Sequence, residues 1–442
     1  MTVAVYQAYR NARIRWLPPV PKHWGEQRAK VFFREADERS STGLEELLSV
    51  SHLTGVTPRS QKNVTMFKAA SYVGHKLCRP GDIVVNTLWA WMGALGAARH
   101  AGLVSPAYGV YRLYRAGAFN PTYLDYLLRT RAYISEYNCR STGIRSSRLR
   151  LYPNQFLDIP LICPPREEQD KIVKYLRAQD VDIARYIRAK KELLKLMGET
   201  RTVLTRQVIT SEETQYLRLD TVASLLGEPI VRKSGETYVP IGMFNRGRGI
   251  FHKQPTLGKD LGDSIFYPVR HGDLILSGQF AWEGAVAVAQ EADDGCVASH
   301  RYPIVKCKQG VAESVYLYSF FLTGEGGLLL NDHSRGAAGR NRPLNPRTLM
   351  KEKVPVPPLR LQKEITAYFS EELSVRRAVQ MQISQILQYR DRLIANVVTG
   401  QMDVREMAAG LPDADEPNEA AGNLEPSAQS DDELETMDEA EA

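Results

Sequence analysis

A chain of 442 residues with 43% hydrophobic and 24% charged side chains lies in the ordinary soluble range and has room for two or three domains. Its cysteines, Cys78, Cys139, Cys163, Cys296 and Cys307, form no CxxC pair and lack close His partners, which argues against a zinc site or a disulfide framework and fits a reducing cytoplasm. The amino terminus carries Arg10, Arg13 and Arg15 rather than an apolar signal core, and no apolar run reaches membrane-spanning length, so the expected protein is cytoplasmic, neither exported nor anchored.

The formal net charge of +6 understates the basic character of the folded part. About 13 acidic residues and no Lys or Arg lie between Glu406 and Ala442, and without that segment the remainder carries about +19. Residues 1–157 hold about 22 Lys/Arg against 9 Asp/Glu, whereas residues 212–352 hold about 16 of each. A polyanion is the natural partner of such a surface, and the first block supplies most of the attraction.

In chain order, the first block opens with basic loop positions at Arg59 and Lys62. Gly81-Asp82-Ile83-Val84-Val85 then reads as a turn entering a buried strand, followed by Trp91 and Gly93-Ala94. The block ends in Ser141-Thr142-Gly143-Ile144-Arg145-Ser146-Ser147-Arg148-Leu149-Arg150, where small residues alternate with guanidinium groups suited to phosphates and guanine edges. Arg145, Ser146 and Arg148 are the DNA-contact candidates here, with a solvated basic loop as the plain alternative. Trp91, and Trp282 later in the chain, invite a stacking role, but their Gly-Ala surroundings and their equivalence favour core packing.

A proline-rich lead-in, Ile159-Pro160-Leu161-Ile162-Cys163-Pro164-Pro165, then opens a helix of about 40 residues whose stripe runs through Ile172, Leu176, Ile183, Ile187, Leu194, Met197, Leu204 and Val208.

The whole arrangement then recurs. Gly272-Asp273-Leu274-Ile275-Leu276 with Trp282 and Gly284-Ala285 matches the first strand turn, and Ser334-Arg335-Gly336-Ala337-Ala338-Gly339-Arg340-Asn341-Arg342 stands where the first basic loop stood. Arg335, Arg340, Asn341 and Arg342 are candidates in it, and Arg246, Arg248 and Lys253 are further basic loop positions. His252 shares that basic loop, and His300 beside Arg301 is ambiguous between contact and packing. Val354-Pro355-Val356-Pro357-Pro358 leads into a second helix with the stripe Ile365, Phe369, Leu373, Val379, Ile383, Ile386, Leu393 and Val397. Between Gln169/Gln362 and Arg201/Arg390 the offset falls by about four residues, close to one turn of 3.6, so the second helix is shorter by a turn that keeps its stripe aligned. Helices this long and narrow are marginal alone, and antiparallel pairing with each other over about 60 Å is the least costly solution.

The chain contains no GxxxxGK[ST] loop, no strand-borne GxGxxG, no HExxH or GxSxG, and no aromatic-terminated Asn/Asp-Pro-Pro string; Asn345-Pro346-Arg347 lacks the aromatic. A binder is therefore expected rather than an enzyme.

The paired lead-ins, the helix starts containing Gln169 and Gln362, and the strings Gly81 to Gly96 and Gly102 to Tyr108 resemble the specificity (S) subunits of type I restriction-modification systems over nearly the whole folded chain. The resemblance implies an α+β fold with two mixed α/β target recognition domains, residues 1–157 and 212–352. They would be separated by two long helices, within 158–211 and 353–405, that form an antiparallel coiled coil; separately, the acidic, apolar-poor composition of 406–442 predicts a disordered tail. It implies a non-catalytic subunit that binds double-stranded DNA at a bipartite target and docks two modification (methyltransferase) subunits and restriction (translocase/nuclease) subunits. S-adenosylmethionine, ATP and Mg2+ would be bound by those partners, with no cofactor in this chain. Two features depart from the pattern: Leu359-Arg360-Leu361-Gln362 replaces the more usual Arg166-Glu167-Glu168-Gln169, and the acidic tail is an addition. The alternatives are a self-contained DNA-modifying enzyme, or its recognition half, and a coiled-coil protein-binding scaffold; the missing cofactor loops weigh against the first and the basic excess against the second.

Overall fold

The structure, a computed structural model, describes residues 4–61, 71–115, 117–143, 149–336 and 342–412. The chain divides into two compact units, Met1–Ala189 with Gln382–Ala442, and Lys190–Met381. Each long helix therefore contributes one part to each unit.

The first unit is built on a four-stranded antiparallel sheet in the order Phe33–Glu35, Gly109–Leu113, Ile83–Val85, Leu95–Ala97. The Gly-Asp turn explains its central strand. Gly81 adopts φ +89°, a conformation glycine reaches without steric cost, and the Asp82 carboxylate accepts the Arg79 backbone N–H at 2.8 Å. Ile83 and Val85 then point into one core with helices Pro121–Leu128 and Arg131–Arg140, while Val84 points into another with Leu48, Val50 and Val56. Both faces of the strand are covered, so period-two alternation yields a continuous apolar run.

The second unit repeats this frame. Its sheet runs Ala223–Leu225, Ile304–Cys307, Leu274–Leu276, Val286–Val288, again antiparallel throughout. Gly272 has φ +84°, and Asp273 accepts the Arg270 N–H at 2.9 Å. Leu274 and Leu276 face the core with helix Ser314–Phe321, and Ile275 faces the opposite core with Ile241 and Met243.

Each proline lead-in is itself a strand, which the sequence reading did not foresee. Pro160–Cys163 pairs antiparallel with Gly25–Arg28, and Lys353–Val356 with Gln215–Arg218, so each block closes its end onto its beginning. Leu161 and Val354 are buried in their cores, and in each two-stranded pair the proline-bearing strand is an edge strand, which accommodates a residue without an N–H.

The long helices span Arg166–Ile209, 44 residues, and Leu359–Val398, 40 residues, the four-residue difference that the repeat offset predicts. In the first unit their segments run antiparallel. Tyr186 donates to Gln382 Oε1 at 3.1 Å and Arg390 Nε to Asp180 Oδ1 at 2.6 Å, with Ile183 and Ile187 packed beside Ile383, Ile386 and Leu387. In the second unit Val208 and Ile209 share a core with Ile365 and Phe369. The α+β class and the two long helices thus stand as expected.

Two expectations need correction. The folded chain continues past residue 406: helix Arg405–Ala409 lies on the first unit's core, with Val404 and Ala408 buried and Leu411 packed beside them. These apolar side chains anchor a segment that its neighbouring acidic composition had assigned to the tail, the rest of which, from residue 413, lies outside the described residues. Trp91 and Trp282 are only half-buried and belong to neither core, because the single-turn helices that carry them, Ala90–Met92 and Ala281–Glu283, turn their small residues Ala90 and Ala281 inward instead.

Candidate nucleic-acid interface

Each unit presents a sharp corner between an inner strand of its sheet, Ile83–Val85 or Leu274–Leu276, and the edge strand that follows it, Leu95–Ala97 or Val286–Val288. In the first, Trp89 enters helix Ala90–Met92, which Gly93 ends at φ +91°; in the second, Phe280, helix Ala281–Glu283 and Gly284 at φ +75° repeat the turn. The basic loop of each unit is fastened to this corner. Thr142 bridges Arg150, and the next residue, Leu151, donates its N–H to Thr87 O at 3.0 Å; Ser334 bridges Leu344, whose N–H reaches Gly278 O at 2.8 Å. Corresponding hydrogen bonds thus tie the described ends of the two segments to the same place on the two frames, whose sequences between those ends differ.

The second corner gathers three of the candidate residues. Arg342 lies half-buried with its guanidinium 4.6 Å from the Trp282 ring centroid. Arg246 donates its backbone N–H to Glu283 O at 3.1 Å, and Gly247 to Gly284 O at 2.8 Å, which fixes the hairpin turn carrying Arg246 and Arg248 against the same corner. The exposed Arg246 holds φ +57°, and Arg248 stacks on Phe244 at 5.1 Å. Left-handed backbone at a non-glycine residue costs about 1 kcal/mol or more and is retained where the surroundings fix it. Here Tyr318 adds a hydrogen bond to Gly247 O at 2.9 Å, and a side chain at Gly247 would collide with Leu322.

Arg59 and Lys253 prove to be equivalent positions. Each follows the second strand of a hairpin, Gly55–Pro58 or Gly249–His252, and each donates its N–H across the hairpin at 2.8 Å, to Leu47 O and to Pro240 O. Lys253 stands at the end of its hairpin away from the Arg246 turn, beside the 2.7 Å pair of His252 and Asp293. Arg335 is exposed at the start of the second loop, with Nε donating to Asp332 O at 3.2 Å. Lys62, Arg145, Ser146, Arg148, Arg340 and Asn341 lie outside the described residues.

Sequence reasoning passed over Trp89, 49% exposed and stacked on Trp91 with centroids 6.1 Å apart and planes 18° from parallel. The signal was available: Phe280 precedes Trp282 by the same two residues. Trp91 donates its indole N–H to Leu88 O at 3.0 Å, whereas the buried N–H of Trp282 has no partner among the described residues.

Among the described residues no cluster of His, Cys, Asp or Glu is arranged to hold a metal ion, and no helix is long and apolar enough to cross a membrane. Among the described residues the first corner offers a stacked indole pair and the second offers guanidinium groups beside an indole.

No family model matches the sequence, and a search of curated proteins finds no significant match. Solved structures do resemble it. A chain from a structure addressing complex assembly and conformational transition of the type I R-M system aligns over 87% of this chain and 99% of its own, at 16% identity and a TM-score of 0.56. The HsdS subunit from Thermoanaerobacter tengcongensis aligns over 87% and 98%, at 16% identity and a TM-score of 0.42. The type I restriction-modification system S subunit from M. genitalium aligns over 93% and 100%, at 10% identity and a TM-score of 0.35. The first of these shows a shared fold along nearly the whole of both chains, the fold that the sequence resemblance implies.

Proposed function

From that shared fold we propose that the chain is the specificity subunit of a type I restriction-modification complex, a non-catalytic protein that directs its partners to a bipartite site in double-stranded DNA. Residues 1–157 and 212–352 each read one half-site, and the two long helices set the spacer between them. Two modification subunits supply S-adenosylmethionine and adenine methylation, and restriction subunits supply the ATP- and Mg2+-dependent cleavage.

The observation that carries this reading is the division of labour within the repeat. The sheet order, the Gly-Asp turn and the helix-start glutamines are the same in both units. The loops attached to the two corners differ in length and sequence. Duplicated frames with unlike basic loops suit two different half-sites, because base edges are read by particular side chains while the frame only positions them.

Methylome mapping in cells expressing this chain with and without a companion methyltransferase tests the proposal. A bipartite adenine motif of fixed spacing is expected only with both. Methylation by the purified chain alone would identify it as an enzyme instead, and failure to bind any duplex in the complex would favour the protein-binding scaffold.

A further inference from the structure

We propose that the aromatic corners are the part of the DNA interface that packs on bases and sugars: Trp89 stacked on Trp91 in the first unit, and Trp282 beneath Arg342 in the second. This inference rests on the DNA-binding reading above and adds residues to it that no basic-loop argument selects.

Aromatic residues occupy the same two corner positions in both units, Trp89 and Trp91 in one, Phe280 and Trp282 in the other, although the adjoining loops have diverged. A framework role would bury them. Instead Trp89 is 49% exposed beside Leu88 at 38%, and Trp91 and Trp282 are half-buried outside both cores. A stacked, exposed indole pair is a flat apolar surface, and its occupant is indicated by the charge around it. Leu151, next to Arg150, donates its N–H to Thr87 O beside the Trp89 corner, and the sequence just before it carries Arg145, Arg148 and Arg150, so the charge of this part of the chain favours a polyanion as the occupant. In the second unit the cation is already in place, with Arg342 4.6 Å above Trp282.

Duplex DNA offers what such a surface matches: phosphates for the guanidinium groups, and thymine methyls, sugar edges and separable base steps for the rings. Apolar contacts of this kind release no counterions, so they add affinity that salt leaves unchanged.

The test uses the full chain purified with the subunits that accompany it, and duplexes selected from a random pool by the wild-type protein. Trp89→Ala is expected to weaken binding about tenfold or more with an unchanged dependence on salt, and to relax the selected sequence in one half only; Trp282→Ala should do the same to the other half. Trp89→Phe, which keeps an aromatic face, should retain most of the affinity, and unchanged thermal melting excludes misfolding as the cause. If the wild-type protein selects duplexes and both alanine variants bind them equally well, this inference falls alone. A loss accompanied by a shallower salt dependence would also overturn it, since the tryptophans would then act through the cations. If the wild-type complex selects no duplex, the functional reading falls and takes this inference with it.

Discussion

Gln169 accepts the backbone N–H of Asn120 on its side-chain oxygen at 2.8 Å, which ties the start of the first long helix to the start of helix Pro121–Leu128. Its amide nitrogen donates to Pro164 O at 2.8 Å and Ala118 O at 3.2 Å, and the side chain is fully buried. Gln362 repeats all three bonds with Glu313 N at 2.8 Å, Pro357 O at 2.7 Å and Val311 O at 3.1 Å. The glutamine amide supplies two donor protons and an acceptor at once, and this junction uses all three. Gln169→Ala or Gln362→Ala should therefore destabilise its unit by about 2–4 kcal/mol, since buried backbone groups are left unpaired. The glutamate variants should be no better, because a carboxylate cannot donate to the two carbonyls; denaturant titration followed by circular dichroism measures both.

A second prediction concerns polar groups inside the helix stripes. Arg390 holds Asp180 through two hydrogen bonds at 2.6 and 3.1 Å while Tyr126 donates to the same carboxylate at 2.8 Å, and Arg201 holds the fully buried Glu372 at 2.8 Å. Arg390→Ala leaves the Asp180 carboxylate buried without its cation, at a cost of about 3–5 kcal/mol; Arg201→Ala should cost less, because Arg376 still holds Glu372 at 3.0 Å. Removing both partners, as in Asp180→Leu with Arg390→Met, should recover most of that loss. A double-mutant cycle in urea checks it, and additive losses would show that the pairs do not couple.

The cysteines give a chemical test of the fold and its pH response. Burial pushes the Cys78 thiol up to about 12 and that of Cys163 to about 11, while Cys139 is exposed. At pH 8 Cys139 should be alkylated first, and Cys78 should react only as the chain opens. Because the folded state holds the Cys78 proton more tightly than the unfolded chain, where a thiol titrates near 8.5, its contribution to stability is complete below about pH 8.5 and is lost as pH rises toward 12. Mass spectrometry of timed alkylation across that range reports both effects.

The frame was legible in the sequence and the corners were not, for a physical reason. Apolar periodicity reports burial directly, so Ile172, Leu176, Ile365 and Val397 lie in the cores as their spacing requires, and the Gly-Asp turns enter buried strands. The offset between the copies gave the 44- and 40-residue helices their difference. Arg59 and Lys253 were selected singly for charge, and their equivalence emerged only from backbone hydrogen bonds that pair distant residues. Trp91 and Trp282 were expected in the core because small neighbours suggest close packing, yet those small neighbours are what is buried. The Asp180–Arg390 and Arg201–Glu372 pairs escaped notice because isolated charges on an amphipathic helix resemble solvated ones until a partner helix is in place.

If the helices set the spacer, length and sequence reading are separable. Inserting four residues, about one turn, into the middle of the second long helix to equalise the two should change the distance between the methylated half-sites and leave both half-site sequences intact. Methylome sequencing of cells carrying the insertion gives the answer, and an altered half-site with unchanged spacing would argue against the ruler.

The central claim is that each block reads its own half of the target. Exchanging residues 212–352 for the corresponding block of another specificity subunit, and mapping adenine methylation in the presence of the companion methyltransferase, tests it most directly. One half of the bipartite motif should change, with the other half and the spacer retained; a change in both halves would contradict modular recognition.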